Sequence, residues 1–64
     1  MQVKVAEIVA ESTQSWQDAV EKAVAEASKS HKNISGVEVC NWTASCKDNK
    51  ITEYKANISI AYVE

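Results

Sequence analysis

Apolar and polar positions first alternate along this chain, then recur at helical spacing, then alternate again. From Gln2 to Ala10 the apolar residues fall on two sides, Val3, Val5 and Val9 on one and Ala6, Ile8 and Ala10 on the other. β-branched residues dominate the segment and only Glu7 breaks its apolar set, which predicts a strand. Further on, Trp16, Ala19, Val20, Ala23, Val24 and Ala27 recur at i, i+3, i+4, i+7, i+8 and i+11, so they line one face of an amphipathic helix while Gln17, Glu21, Lys22, Glu26 and Lys29 point elsewhere. Ser15 and Asp18 stand three apart at the start of this stripe. That spacing predicts a reciprocal capping box, in which the Ser15 hydroxyl accepts from the N–H of Asp18 and Asp18 reaches back to the N–H of Ser15. The helix is expected to run to His31 or Asn33, with Lys29, His31 and Lys32 complementing the negative end of its dipole. On that reading His31 is a solvated residue of the last turn.

Period two returns from Val37. Val37 and Val39 are expected on one face of this strand, and Cys40, Trp42, Ala44 and Cys46 on the other. Lys47-Asp48-Asn49-Lys50 reads as a hairpin turn into a last strand from Ile51 to about Val63. There Tyr54, Ala56, Ile58, Ile60 and Tyr62 share one face and Glu53, Lys55, Asn57 and Ser59 the other. Gly36, the only glycine, lies where the chain leaves the helix and is expected to supply a positive φ there. A helix of roughly 25 Å at 1.5 Å per residue cannot cover a last strand of roughly 43 Å at 3.3 Å per residue. The overhanging apolar positions predict contacts with other copies of the chain. The pattern thus describes a single α+β domain, residues 1–64, that forms a homo-oligomer.

Composition narrows the function classes. A chain of 64 residues supports one marginal core. Cys40 and Cys46 lie six apart in one strand, roughly 20 Å at 3.3 Å per residue, so they are expected to be free thiols. Free thiols and an opening stretch without an apolar leader point to the cytoplasm. The N-x-[ST] triplets at Asn33, Asn41 and Asn57 then carry no glycan. A net charge of −2 with interspersed signs lacks the basic footprint of a nucleic-acid binder, and no apolar run is long enough for a membrane. Two cysteines with five residues between them and a lone His31 are not a zinc spacing. Neither thiol has a base or a helix N-terminus beside it, so no catalytic residue is assigned and no enzyme is expected.

The order strand, helix, strand, strand carries two blocks, S-x-x-S-W-x-D-A-V-x-x-A-V-x-x-A-S-K-S at Ser12 to Ser30 and D-N-K-I-x-E-Y-K-A-N-I-S-I at Asp48 to Ile60. Together they resemble the dodecin family over nearly the whole chain. The resemblance implies a β-α-β-β fold whose three-stranded antiparallel sheet partly wraps one amphipathic helix. It also implies a hollow homododecamer that stores flavins (riboflavin, FMN or FAD) in pairs at its two-fold axes. In the flavin-binding members a tryptophan after the helix stacks on the ring system, in a pattern like N-hydrophobic-x-W-x-E-V. In Asn33-Ile34-Ser35-Gly36-Val37-Glu38-Val39 that position is Gly36. The family glutamine on the last strand aligns with Lys55. With both contacts changed, the expected function is small-molecule storage or sequestration with flavin affinity weakened or lost. Gly36, Glu38 and Lys55 are the candidate ligand-binding residues. Trp42 and Trp16 are read as core or interface aromatics. The alternative function is a structural assembly that takes Ca²⁺ or Mg²⁺ at symmetry axes through carboxylates such as Glu7, Glu11 and Asp48.

Overall fold

The computed structural model describes residues 2–64. Strand β1 spans Val3–Ser12, helix α1 Trp16–Ala27, strand β2 Ile34–Lys47 and strand β3 Lys50–Val63. The fold is α+β, a β-α-β-β chain in which β3 lies at the centre of an antiparallel sheet of order β1-β3-β2. β3 takes the centre because its alternation is the cleanest: Ala56, Ile58 and Ile60 are all buried under the helix. They meet Ala10 of β1 and the helix residues Ala19, Ala23 and Ala27. Five of these seven core side chains are alanines. Small side chains on both surfaces let the helix axis approach the sheet closely, and close approach replaces bulk as the source of packing.

The helix begins as its chemistry dictates, with one substitution of partners. Ser15 is the N-cap and its hydroxyl accepts from the N–H of Asp18 at 2.9 Å. The return half of the expected capping box is absent. The Asp18 carboxylate accepts instead from the Ser12 hydroxyl at 2.6 Å and pairs with the Lys22 ammonium at 3.1 Å. Ser12 also accepts from the N–H of Gln14 at 2.9 Å, so a buried serine at the end of β1 shapes the turn into the helix.

The helix ends four residues short of His31, the earlier of the two expected ends. Beyond Ala27 two backbone bonds tighten to i−3, Lys29 N–H donating to Glu26 O and Ser30 N–H to Ala27 O, while His31 N–H still donates to Ala27 O at 2.8 Å. Ser28, a poor helix former, spends its hydroxyl on the Ala25 carbonyl at 2.6 Å. No basic residue lies in the last helical turn, so the expected dipole role of Lys29, His31 and Lys32 is not realised. His31 is half-buried and stacked on Tyr62 of β3, with ring centroids 4.1 Å apart and planes 23° apart. It docks the helix exit to the sheet and is not the solvated residue expected.

Two further positions depart from the periodicity reading. The chain turns with a positive φ of 59° at Asn33, and no described glycine has a positive φ. Asparagine tolerates this region, which frees Gly36 to sit inside β2 opposite Ala61. The second departure is a bulge at Cys40. Val39 pairs with Ile58 and Asn41 with Asn57, so one residue of β2 is unpaired. Directly opposed residues share a sheet face. The bulge therefore puts Trp42, opposite Ala56, on the same helix-side face as Val37 and Val39, where strict alternation had separated them. The β2–β3 turn agrees with expectation: Lys47 pairs with Lys50, and Asp48 and Asn49 have φ of 53° and 63°, the two positive values of a type I′ turn.

At one end of the helix Trp16 packs edge-on against Tyr54, at 4.8 Å and 74°, and against Trp42, at 6.2 Å and 82°. At the other end His31 holds Tyr62. The helix is thus fastened to the sheet at both ends by aromatic pairs and along its middle by alanine.

Candidate functional site

β3 alternation leaves Glu53, Lys55, Asn57, Ser59 and Ala61 on the sheet face away from the helix. Register places their neighbours. Ala61 lies between Val5 and Gly36, Ser59 between Glu7 and Glu38, Asn57 between Val9 and Asn41, and Lys55 between Glu11 and Thr43. Val5, Gly36, Val37, Glu38, Ser59 and Ala61 line one shallow recess. Its floor is small side chains, and a Cβ built on Gly36 meets nothing within 4 Å.

Of the three candidate residues, the fold brings Gly36 and Glu38 together in this recess. Lys55 is on the same face but four residues along β3 from Ser59, roughly 13 Å at 3.3 Å per residue. Its Nζ lies 3.7 Å from Oε1 of Glu53. Around the recess and Lys55 this face carries Glu7, Glu11, Glu38 and Glu53, and Lys55 is already paired with Glu53, so this part of the face is acidic. Sequence reasoning did not reach Val5, Ser59 and Ala61. Val5 joins the recess through the pairing of the first strand with the last, a long-range register that no local signal carries.

Cys40 and Cys46 are free and exposed. Cys40 Sγ lies 3.6 Å from the Ser59 hydroxyl, which puts the bulge residue beside the recess. Asn41 and Asn57, two of the three N-x-[ST] asparagines, face one another across the β2–β3 pair. Among the described residues no three His, Cys, Asp or Glu side chains are placed to hold a metal ion. A Ca²⁺ or Mg²⁺ site built from Glu7, Glu11 or Asp48 would need oxygen ligands from several copies. Trp42 points to the opposite face, toward Trp16. Elsewhere in the fold the titration of Asp18 is displaced. Its carboxyl is held below the ordinary carboxylate value, first by the Ser12 hydroxyl and then by Lys22. This belongs to the helix cap and lies outside the recess. Among the described residues, no helix is long and apolar enough to cross a membrane.

A sequence model of the Dodecin family matches residues 3–64. Solved structures of the same fold include a dodecin from Streptomyces coelicolor, 22% identical, with a TM-score of 0.92 over 98% of this chain and 91% of that one. A dodecin from Streptomyces davaonensis is 20% identical, with a TM-score of 0.89 over 95% of this chain and 90% of its own. A single-site mutant of the T. thermophilus dodecin is 22% identical, with a TM-score of 0.91 over 98% of this chain and 96% of its own. No curated protein matches this chain in sequence.

Proposed function

The chain belongs to the dodecin family, and from that premise we propose that copies of it close into a hollow dodecamer that binds and stores a small planar ligand of the flavin type. The ligand lies on the sheet face away from the helix, over the recess of Gly36 and Glu38, and Lys55 of the same or a neighbouring copy borders it. The protein works without catalysis, in the reducing cytoplasm that suits two exposed free thiols. The observation that carries this reading is the open space over Gly36. A flat floor of Gly36, Ser59 and Ala61 presents backbone and small side chains to a planar ring, where an indole would present a stacking face.

Affinity is weakened by the same feature. Without the indole the ring loses an aromatic stack of about 0.5–1.5 kcal/mol beyond its area burial. Riboflavin, which carries no phosphate, suits this acidic face better than FMN or FAD, whose phosphates would lie among Glu7, Glu38 and Glu11.

Titration of riboflavin and FMN, followed by flavin fluorescence, tests the ligand. Wild-type protein is expected to quench riboflavin with affinity weaker than micromolar, and the double variant Gly36→Trp, Lys55→Gln to bind about tenfold tighter. Wild-type binding at micromolar or tighter would remove the claim of weakening. Absence of binding by both proteins would remove the flavin reading. Native mass spectrometry, counting chains and weighing what travels with them, tests the assembly.

A further inference from the structure

We infer that the recess next to that of Gly36, lined by Glu7, Cys40, Asn41 and Asn57, is a second subsite that takes an uncharged polyhydroxyl chain. The inference rests on the ligand reading above and names what holds the chain that a riboflavin-type ligand carries on its ring.

The two recesses lie along one face of the sheet. Ala61 and Gly36, paired across β3 and β2, line the first, and Asn57 and Asn41, paired in the same way, line the second. Ser59 stands between them on β3, two residues from Ala61 and two from Asn57, a step of roughly 7 Å each way at 3.3 Å per residue. A short chain of hydroxylated carbons spans that step. Cys40 links the recesses, with its Sγ 3.6 Å from the Ser59 hydroxyl. The second recess has a volume of about 310 Å³.

β2 is irregular at both places. Ser35 has no partner between the pairs Ile34–Tyr62 and Gly36–Ala61, and Cys40 has none between Val39–Ile58 and Asn41–Asn57. A regular strand would set Cys40 opposite Asn57, and the bulge sets Asn41 there instead. Directly opposed residues share a face with Cβ atoms about 5 Å apart, so two carboxamides stand side by side. Both are exposed and neither belongs to the core. The bulge therefore exchanges a thiol for a second carboxamide at a position that the core does not constrain.

The chemistry of this lining selects its ligand. Each carboxamide offers a carbonyl acceptor and two N–H donors, whereas the Glu7 carboxylate only accepts. A hydroxyl both donates and accepts, so a run of hydroxyls satisfies all three side chains at once. An alkyl chain would cover the carboxamides and leave them unpaired. A chain ending in phosphate or carboxylate would meet Glu7, and Glu38 beyond Ser59. A divalent cation would find one carboxylate where it needs six or more oxygens.

Riboflavin and lumiflavin share one ring system, and lumiflavin carries a methyl group in place of the hydroxylated chain. Wild type, Asn41→Ala and Asn57→Ala are titrated into each flavin and binding is followed by flavin fluorescence. Wild type is expected to bind riboflavin about tenfold tighter than lumiflavin. Both variants are expected to keep the wild-type affinity for lumiflavin while the preference for riboflavin falls to about threefold or less. Asn57 sits on the central strand and Asn41 on an edge, so Asn41→Ala decides the matter if Asn57→Ala fails to fold. Equal affinity of wild type for the two flavins overturns the inference and leaves the flavin reading intact. A preference kept at wild-type size in Asn41→Ala overturns it as well. Absence of binding of either flavin by wild type overturns both readings.

Discussion

The indole N–H of Trp16 donates to the backbone carbonyl of Thr43 across 2.8 Å, tying the first turn of the helix to the edge strand β2. The bond reaches over β3 and completes the aromatic group of Trp16, Tyr54 and Trp42. Replacing Trp16 by phenylalanine keeps a ring against Tyr54 and loses the donor, an expected cost of about 1 kcal/mol. Alanine removes the ring contacts as well and is expected to cost about 3 kcal/mol. Urea unfolding of the two variants measures the difference. Equal costs would show that the hydrogen bond carries the whole effect.

Acid stability is expected to follow Asp18. Ser12 and Lys22 hold its carboxyl below the ordinary value of 3.8 in the folded chain. A depressed folded pKa means that the unfolded chain takes up the proton first as pH falls. The contribution of Asp18 is therefore fully present above the ordinary carboxylate value and is lost as pH falls from there through the lower folded value. Asp18→Asn should flatten the acid limb of the stability curve while leaving its shape near neutrality unchanged. Thermal melts of both proteins between neutral pH and pH of about 3 check this. An identical acid limb in both would assign the acid sensitivity to other carboxylates.

Residue chemistry announced some elements and hid others. The helix start was legible because Ser15, Asp18 and the Trp16–Ala27 stripe are local signals, and the central strand because alternation from Tyr54 to Tyr62 is unbroken. The helix end was not. Lys29, His31 and Lys32 suit a helix terminus, yet His31 finds Tyr62, thirty-one residues away in sequence, and that contact draws the chain off the helix axis. The face of Trp42 was hidden as well, because a bulge changes the parity of every residue after it and Cys40 carries no mark of one. At the recess, Gly36 and Glu38 were reachable from family resemblance. Val5, Ser59 and Ala61 depended on strand order, which alternation does not encode.

Asn33 bears the only positive φ between the helix and β2, and its carbonyl accepts from the N–H of Val63 at 3.1 Å. Asn33→Ala keeps the backbone bond and places a methyl group in the left-handed region, at an expected cost of about 1 kcal/mol. Asn33→Gly is expected to leave stability near wild type, since glycine enters that region freely but loses more entropy on folding. Chemical denaturation of the pair tests whether backbone conformation or the asparagine side chain is what the turn requires. Equal losses in both would assign the role to the side chain.

Gly36 makes the opposite prediction. It lies inside β2 with no positive φ, and open space surrounds its missing Cβ. Alanine therefore fits without strain and reduces the freedom of the unfolded chain, an expected gain of about 0.4–1 kcal/mol in denaturant unfolding. A residue that weakens its own strand and blocks nothing when enlarged has no role in folding that alanine cannot fill. If Gly36→Ala stabilises the protein while lowering riboflavin quenching, the flat floor of the recess is what the glycine serves. If it stabilises the protein and leaves quenching unchanged, the ligand does not lie over Gly36.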